Sequence, residues 1–293
     1  MIIVGVDGSP SGLDAVGWAV REGALHDRPV HIVHAMPKWA YEMPDDVPHS
    51  EVGRWMRDSA AEVLTAALER VGAEPFEVRV STELLAGDPR DALLRAAAVA
   101  DMLVVGNHGL GGFRGLLLGS VALGVSGHAP CPVVVVRGPA SRSGEVVVGT
   151  DGSAASDAVV EFAFAEAEAR GARLRAIRAC SVPVEFMPFD PDALIGDESR
   201  LLAESLKAWQ ERHPAVDVLR QVKQGHPAQV LLEASAEADL LVIGSRGRGG
   251  FTGLILGSTS HAVLHHASCP VAVVPAPKHG GVDGEKEPRR LME

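Results

Sequence analysis

The chain has few cysteines, no long apolar run and no excess of positive charge, and each shortage excludes a class of protein. Its three cysteines are an odd number without a C-x-x-C pair, which argues against a disulfide framework and a structural zinc site. Apolar runs such as 133–136 have the length of a strand, whereas a membrane-spanning helix needs about 20 apolar residues. These shortages favour a protein of the reducing cytoplasm without a membrane span.

The charge balance is acidic, with 27 basic and 38 acidic side chains and a formal net charge of −11. A negatively charged protein repels phosphate-rich polymers on average, so we expect no nucleic-acid partner. Residues 2–7 have the pattern of a strand, and no basic stretch followed by an apolar stretch precedes them. We therefore expect no secretory signal.

The sequence repeats itself once. A shift of 138 residues aligns 101–137 with 239–275, and 21 of these 37 positions are identical. The segment 5–9 instead matches 149–153 at a shift of 144, so the first copy carries six additional residues in between. Each copy is far longer than the unit of a solenoid, which indicates two duplicated domains. Cys131 and Cys269 occupy matching places before a Pro-Val pair, and we expect them to be small buried packing residues.

In each copy, short apolar runs alternate with helix-like segments, which predicts β-α-β units and a mostly parallel sheet covered on both faces. The predicted strands are Ile2 to Asp7, Val30 to Met36, Phe76 to Leu84, Met102 to Gly106 and Val133 to Arg137, followed by Val146 to Asp151, Leu174 to Cys180, Val216 to Lys223, Leu240 to Gly244 and Val271 to Val274. We expect one domain over 1–138 and a second over 145–277. The charged end, 278–293, has nothing to bury, and we expect it to be disordered.

One glycine-rich loop recurs after the fourth strand of each copy. Gly106, Gly109 and Gly119-Ser120 form a G-x(2)-G-x(9)-G-S pattern, and Gly244, Gly247 and Gly257-Ser258 repeat it. Glycines let a backbone approach an anion closely, and a helix that starts after the loop offers its positive end to a phosphate. The pattern therefore predicts a phosphate site in each half. The alternative is that these glycines only form tight turns. A classical P-loop is excluded because neither loop ends in Gly-Lys-Ser/Thr.

An aspartate ends the first strand of each copy, at Asp7 and at Asp151. In open parallel sheets, ligands bind beyond the carboxyl ends of the strands. A carboxylate in that place can accept hydrogen bonds from ribose hydroxyls or from an adenine amine. The alternative reading is a helix-capping or turn aspartate ahead of Ser9 or Ser153.

With these motifs assembled, residues 1–275 resemble the universal stress protein family in its tandem, ATP-binding form, through V-G-V-D-G-S and the glycine loop. The resemblance implies two flavodoxin-like domains, each a five-stranded parallel sheet in the order 3-2-1-4-5 with helices on both faces. It also implies ATP, with or without Mg²⁺, between the first and fourth strands of each domain. Domains of this family pair through their fifth strands, and tandem members dimerise further. A homodimer and a regulatory protein partner are therefore expected.

The resemblance assigns nucleotide contacts position by position. In the first half the expected residues are Gly5, Asp7, Ala35, Gly106, Asn107, His108, Gly109, Gly112, Gly119, Ser120 and Val121. In the second half they are Gly149, Asp151, Ala179, Gly244, Ser245, Arg246, Gly247, Arg248, Gly250, Gly257, Ser258 and Thr259. Because the second loop carries Arg246 and Arg248 where the first has His108 and Leu110, we expect tighter binding in the second half.

Three functions remain open from the sequence. The first is an ATP-binding regulatory or sensor protein with little or no catalysis. The second is a weak ATPase or nucleotidyl-transfer enzyme, for which the loops lack a lysine and an acidic pair near the phosphates. The third is a scaffold that binds no nucleotide. His261, His265 and His266 have metal-ligand spacing on one helix but no third ligand type nearby, so no metal site is expected. We interpret residues 39–48 as a surface loop bordering the site.

Overall fold

The computed structural model describes residues 1–111, 118–137, 143–153, 156–180, 191–247 and 256–276, with 191–194 described by their backbone alone. The strands in these ranges are β1 (Ile2–Val6), β2 (Val30–Met36), β3 (Val80–Ala86), β4 (Met102–Gly106), β5 (Val133–Val136), β6 (Glu145–Gly149), β7 (Arg173–Cys180), β8 (Val218–Gln224), β9 (Leu240–Gly244) and β10 (Val271–Val274). The helices are α1 (Pro10–Leu25), α2 (Lys38–Glu42), α3 (Ser50–Gly72), α4 (Pro89–Ala97), α5 (Ser120–His128), α6 (Ser156–Arg170), α7 (Pro191–Arg212), α8 (Pro227–Ser235) and α9 (Ser258–His266).

The ten strands form one continuous sheet in the order β3-β2-β1-β4-β5-β10-β9-β6-β7-β8. Every pairing within β1–β5 and within β6–β10 is parallel. The junction differs, because β5 and β10 run antiparallel, with Ala272 opposite Val134. The molecule therefore consists of two parallel five-stranded halves joined edge to edge about an approximate twofold axis.

Side chains alternate between the two faces of the sheet, as expected for strands buried on both sides. Val4 and Val146 point to the face covered by α1, α3, α6 and α7, whereas Ile3 and Val147 point to the face covered by α4, α5, α8 and α9. Each face contains one apolar cluster that runs through both halves. The fold class is the one predicted, a doubly wound α/β architecture present twice.

Local signals fix where several helices begin. The Ser9 hydroxyl accepts a hydrogen bond from the Gly12 amide at 3.1 Å, and Pro10 occupies the first position of α1. Both features favour a helix start, because the hydroxyl satisfies an otherwise unpaired amide and proline fixes a helical φ. Asp88 and Pro89 begin α4 in the same way. Each helix therefore starts immediately beyond the carboxyl end of a strand or the turn that follows it.

Two predicted elements are wrong in detail. The strand predicted from Phe76 begins at Val80, because the register against β2 pairs Val80 with Val30. The segment interpreted as a surface loop begins with the short helix α2, whose Ala40 is fully buried in a cluster with Met36 and Ala60. Tertiary packing stabilises this five-residue helix, since its N-cap makes no side-chain hydrogen bond.

Several predictions fall outside the described residues. These are the linker at 138–142, the aromatic segment of the second half within 181–190, and the charged tail from 278. Cys131 and Cys269 are buried, as expected. Burial raises the pKa of the Cys131 thiol to about 11 and that of Cys269 to about 12. No helix in the described ranges is both long enough and apolar enough to cross a bilayer.

Candidate functional site

A crevice opens beyond the carboxyl ends of β1 and β4, where the chain leaves the sheet to opposite faces. From β1 it continues into α1 on one face, and from β4 through the glycine loop into α5 on the other. The cavity encloses about 500 Å³, which is within the size range of small-molecule sites. We call it the first crevice. Its position is the topological switch point at which open α/β sheets bind ligands.

Asp7 connects the first strand to the glycine loop. One carboxylate oxygen accepts the Ser9 amide at 3.0 Å, and the other accepts the Leu110 amide at 2.8 Å. Ser9, and not Asp7, caps α1. The turn role considered from the sequence is therefore present. It leaves the carboxylate on the cavity wall with acceptor capacity to spare, because an ionised carboxylate offers about four lone-pair positions.

The start of α5 supplies hydrogen-bond donors to the first crevice. The first intrahelical bond joins the Leu123 amide to the Gly119 carbonyl at 3.0 Å. The amides of residues 120–122 precede it and donate to no residue in the described part of the chain. Gly119, as the N-cap, has no side chain that could accept from them. Three backbone donors and the positive end of the helix therefore lie at the cavity wall.

A matching crevice of about 580 Å³ opens beyond β6 and β9. Asp151 lies at its wall and accepts the Ser153 amide at 2.9 Å, the counterpart of the bond in the first half. The same oxygen also accepts the Ser156 hydroxyl at 2.7 Å, where the first half has Gly12. This second crevice repeats the geometry of the first and adds one hydrogen bond to its carboxylate.

The start of α9 repeats that of α5. The Gly257 amide donates to the Ser245 carbonyl at 2.9 Å, and the first intrahelical bond runs from His261 to Gly257. The amides of residues 258–260 donate to no described residue. The hydroxyl of Ser260 points back to the Gly244 carbonyl at 2.7 Å. Both crevices thus end at an uncapped helix N-terminus.

Two glycines of each loop have different physical reasons to be glycine. A Cβ on Gly106 would lie 2.5 Å from the Ser11 carbonyl oxygen, so the α1 backbone excludes a side chain there. A Cβ on Gly119 would come no closer than 3.4 Å to any atom, and its φ of −73° suits any residue. Nothing in the described structure requires glycine at 119. A bound group between the loop and the helix would require it.

The structure brings most of the predicted residues together. In the first crevice these are Gly5, Asp7, Ala35, Gly106, His108, Gly109, Gly119, Ser120 and Val121. In the second crevice they are Gly149, Asp151, Ala179, Gly244, Arg246, Gly247, Gly257, Ser258 and Thr259. Gly112, Arg248 and Gly250 fall outside the described residues.

Asn107 and Ser245, which were also predicted, do not line the crevices in the described structure. The Asn107 amide donates to Val136, and its carbonyl accepts from Gly119 at 2.7 Å. The buried Ser245 hydroxyl accepts from the Ala276 amide at 3.3 Å. Both residues shape the loop through the backbone. Their side chains are not placed at the cavity.

Sequence reasoning missed the apolar side of the first crevice and one polar residue. Val33 and Leu93 line the crevice beside Ala35, and His34 lies next to them. The His34 Nδ1 donates to the Val6 carbonyl at 2.8 Å, which fixes the ring at the end of β2. A usable signal was present, because strand two ends at this edge beside strand one and its last residues belong to the same site.

The lining offers binding groups and few catalytic ones. Each described crevice surface contains one carboxylate, one helix N-terminus and one loop cation or imidazole, His108 in the first and Arg246 in the second. Neither described lining contains a lysine or a second carboxylate. Groups of this kind bind an anion with an attached polar and apolar body, and they lack a paired acid and base.

Fold and crevices together define a tandem doubly wound α/β protein with one ligand-sized cleft per half. The sequence model of the universal stress protein family matches residues 1–137 and again 143–275. The chain therefore belongs to the universal stress protein family. It is 38% identical over 282 residues to a universal stress protein of Mycolicibacterium smegmatis, covering 93% of this chain and 96% of that one.

Two further comparisons agree. The universal stress protein Rv2005c of Mycobacterium tuberculosis is 38% identical over 284 residues, covering 93% of this chain and 96% of that protein. Among solved structures, a universal stress protein from Archaeoglobus fulgidus superposes with a TM-score of 0.71 at 22% identity, covering 94% of this chain and 97% of that chain. At this identity the structural similarity shows a shared fold.

Proposed function

We propose that this universal stress protein is an ATP-binding regulatory or sensor protein with one nucleotide site in each half. The observation that carries the proposal is the pairing, in both crevices, of an uncapped helix N-terminus with a carboxylate across a cavity of ligand size. Mg²⁺ accompanies the phosphates where the nucleotide binds as its magnesium salt. The cellular role is a response to stress, as the name of the family implies.

The phosphates lie at the starts of α5 and α9. Amides 120–122 and 258–260 have no acceptor among the described residues, and buried or half-buried amides without partners cost free energy until a ligand or water accepts from them. A polyphosphate supplies both the acceptors and the negative charge that the helix dipole favours. The clearance around Gly119 and Gly257 leaves room for the phosphate oxygens.

The nucleoside occupies the opposite side of each crevice. Asp7 and Asp151 lie at the carboxyl ends of their strands, within the crevice wall, and their carboxylates accept from ribose hydroxyls. The apolar sector formed by Val33, Ala35 and Leu93 takes the flat face of the adenine in the first half. The polar and apolar parts of ATP are thereby matched to different walls.

Binding without turnover is the form of the proposal that the lining supports best. Phosphoryl transfer requires a group that activates the attacking nucleophile, together with cations on the transferred phosphate. His108 is the only described imidazole at a phosphate loop, and the second half has Arg246 in its place. Little or no hydrolysis is expected. A homodimer and a regulatory protein partner complete the proposal.

The test uses the clearance at the two helix N-caps. Gly119→Ala and Gly257→Ala each place one methyl group where the phosphates are proposed to lie, while the Cβ meets no protein atom closer than 3.4 Å. We expect two adenine nucleotides per chain in the parent protein, one in each single variant and none in the double variant. Isothermal titration with ATP should show at least a tenfold loss of affinity at each altered site.

Gly72→Ala is the matched control, because its Cβ would meet nothing within 4 Å and α3 ends there, away from the crevices. It should bind two nucleotides. A double variant that keeps full ATP affinity would refute the phosphate placement. No copurified nucleotide and no ATP-induced rise in Tm in the parent protein would favour the scaffold. Steady release of phosphate, abolished in the double variant, would favour the enzyme.

A further inference from the structure

Four charged side chains meet between the two halves, far from both crevices in sequence. Glu22 from α1 and Glu166 from α6 are each only 2% exposed. The Nε2 atom of His26, the residue after α1, lies 2.9 Å from a Glu22 oxygen and 3.3 Å from a Glu166 oxygen. Arg170 at the end of α6 pairs with the remaining oxygen of both carboxylates, at 2.6 Å for Glu22. We call these four residues the interdomain cluster.

The interdomain cluster follows the internal repeat. Glu22 and Glu166 are separated by 144 residues, as are His26 and Arg170, which is the shift that aligns the first strands. Each half thus contributes one buried carboxylate and, four residues later, one cation at the end of the same helix. The carboxylates match, whereas the cations differ. One cation is permanent, and the other depends on a proton.

Neighbouring charges are paired elsewhere. Arg21 on α1 and Arg70 on α3 both bind Glu74, at 2.9 and 2.6 Å. His213 after α7 binds Glu168 at 2.7 Å. The strands β5 and β10 beneath the junction contain only apolar residues, and Trp18 lies under the Arg170 guanidinium, 6.0 Å from its centre. The two carboxylates therefore depend on His26 and Arg170 for their charge balance.

Both proton-binding steps of the interdomain cluster occur above their ordinary range. Hydrogen bonds to Glu166 and then Glu22 raise the pKa of His26 from 6.5 to about 9. Burial, together with the charge of Glu166, raises the pKa of Glu22 to about 7. Burial alone would raise the pKa of Glu166, but His26 and Arg170 lower it to about 2.

The sign of the effect on stability follows. A group with a raised pKa in the folded state stabilises the fold below its unfolded pKa, and this contribution is lost as the pH rises through the folded value. Glu22 loses its contribution between about pH 4.5 and 7, and His26 between about pH 6.5 and 9. Above pH 9, two buried carboxylates remain opposite one guanidinium. An uncompensated buried charge is strongly destabilising.

We propose that the interdomain cluster is a proton-dependent clamp, in which His26 of the first half grips Glu166 of the second and releases it as the pH rises. Arg170 is the fixed arm of the clamp. The antiparallel β5–β10 pairing keeps the halves joined at all pH values, so the clamp sets how firmly the helices above the junction are held. The proposal does not depend on nucleotide binding.

The experiment compares the full chain with His26→Arg, which copies the arrangement of the second half and cannot lose its charge in this range. Urea unfolding between pH 6 and 9.5 should show the parent protein destabilised relative to His26→Arg. The expected loss is at least tenfold in the unfolding constant, since each unit of pKa shift is worth a factor of about ten. NMR of the histidine rings should show His26 still protonated at pH 8.

Two further measurements guard the interpretation. In a double-mutant cycle of His26→Gln and Glu166→Gln, coupling across the halves should be strong at pH 6 and lost at pH 9.5. Equal pH dependence of the parent and His26→Arg, or an imidazole that titrates near 6.5, would overturn the clamp. Stability at pH 6 that falls on adding EDTA would also overturn it, because the three ligating atoms of Glu22, His26 and Glu166 would then hold a metal ion.

Discussion

The two halves of the chain have nearly the same backbone at their crevices and different side chains on it. Both have an aspartate after the first strand, a glycine loop and an uncapped helix start. The first crevice has His108 where the second has Arg246, and Gly12 where the second has Ser156. The comparison teaches that the backbone geometry sets the kind of ligand, while the variable side chains set how strongly each half holds it.

The largest expected effect tests whether the two backbones are as similar as they look. Gly106→Ala places a Cβ 2.5 Å from the Ser11 carbonyl oxygen, whereas Gly244→Ala meets its nearest atom, the Arg246 carbonyl oxygen, at 3.0 Å. We expect the first change to cost about 3 kcal/mol and the second about 1 kcal/mol, as is usual for overpacked sites. Chemical denaturation measures both. Equal costs would show that the first half relaxes as easily as the second.

The next effect concerns the loop cation. An arginine makes charge-assisted, often bidentate hydrogen bonds to phosphate, so the second crevice should bind ATP about tenfold more tightly than the first. Exchanging the residues, with His108→Arg and Arg246→His in one chain, should exchange the two affinities. Titration calorimetry on proteins with one crevice blocked at Gly119 or Gly257 separates the sites. Affinities that ignore the exchange would assign the difference to another part of the loop.

The smallest effect concerns the carboxylates. The Ser156 hydroxyl donates to Asp151 at 2.7 Å, and Gly12 makes no such bond to Asp7. Ser156→Gly should destabilise the second half by about 1 kcal/mol, the usual net value of a hydrogen bond. The loss also frees an acceptor for the ribose, so ATP affinity should hold or rise slightly. A fall in affinity without loss of stability would show that the hydroxyl contacts the nucleotide itself.

The sequence predicted the architecture well because its signals are local and occur twice. Strands such as β4 and β10 are apolar runs bounded by turns, and the repeat at 101–137 and 239–275 tied the two halves together. The short helix α2 could not be predicted in this way. It depends on Ala40 packing against Met36 and Ala60, which are brought together only by the folded sheet.

The same distinction applies to the functional groups. Asp7, Gly106 and Ser120 each follow a strand or begin a helix, so the motif alone placed them at one edge of the sheet. The interdomain cluster was missed because its members meet only after the halves dock. A signal did exist, since Glu22 and Glu166 are acidic residues at matching positions within alanine-rich helices that pack on the sheet.

The antiparallel contact between β5 and β10 has a geometric consequence for the ligands. Strands of the first half point in one direction across the sheet, and those of the second half point in the other. The two clefts consequently face away from each other on opposite rims of the molecule. A single small molecule cannot span both, and a partner that reads the occupancy of both must reach around the whole protein or approach it as two separate contacts.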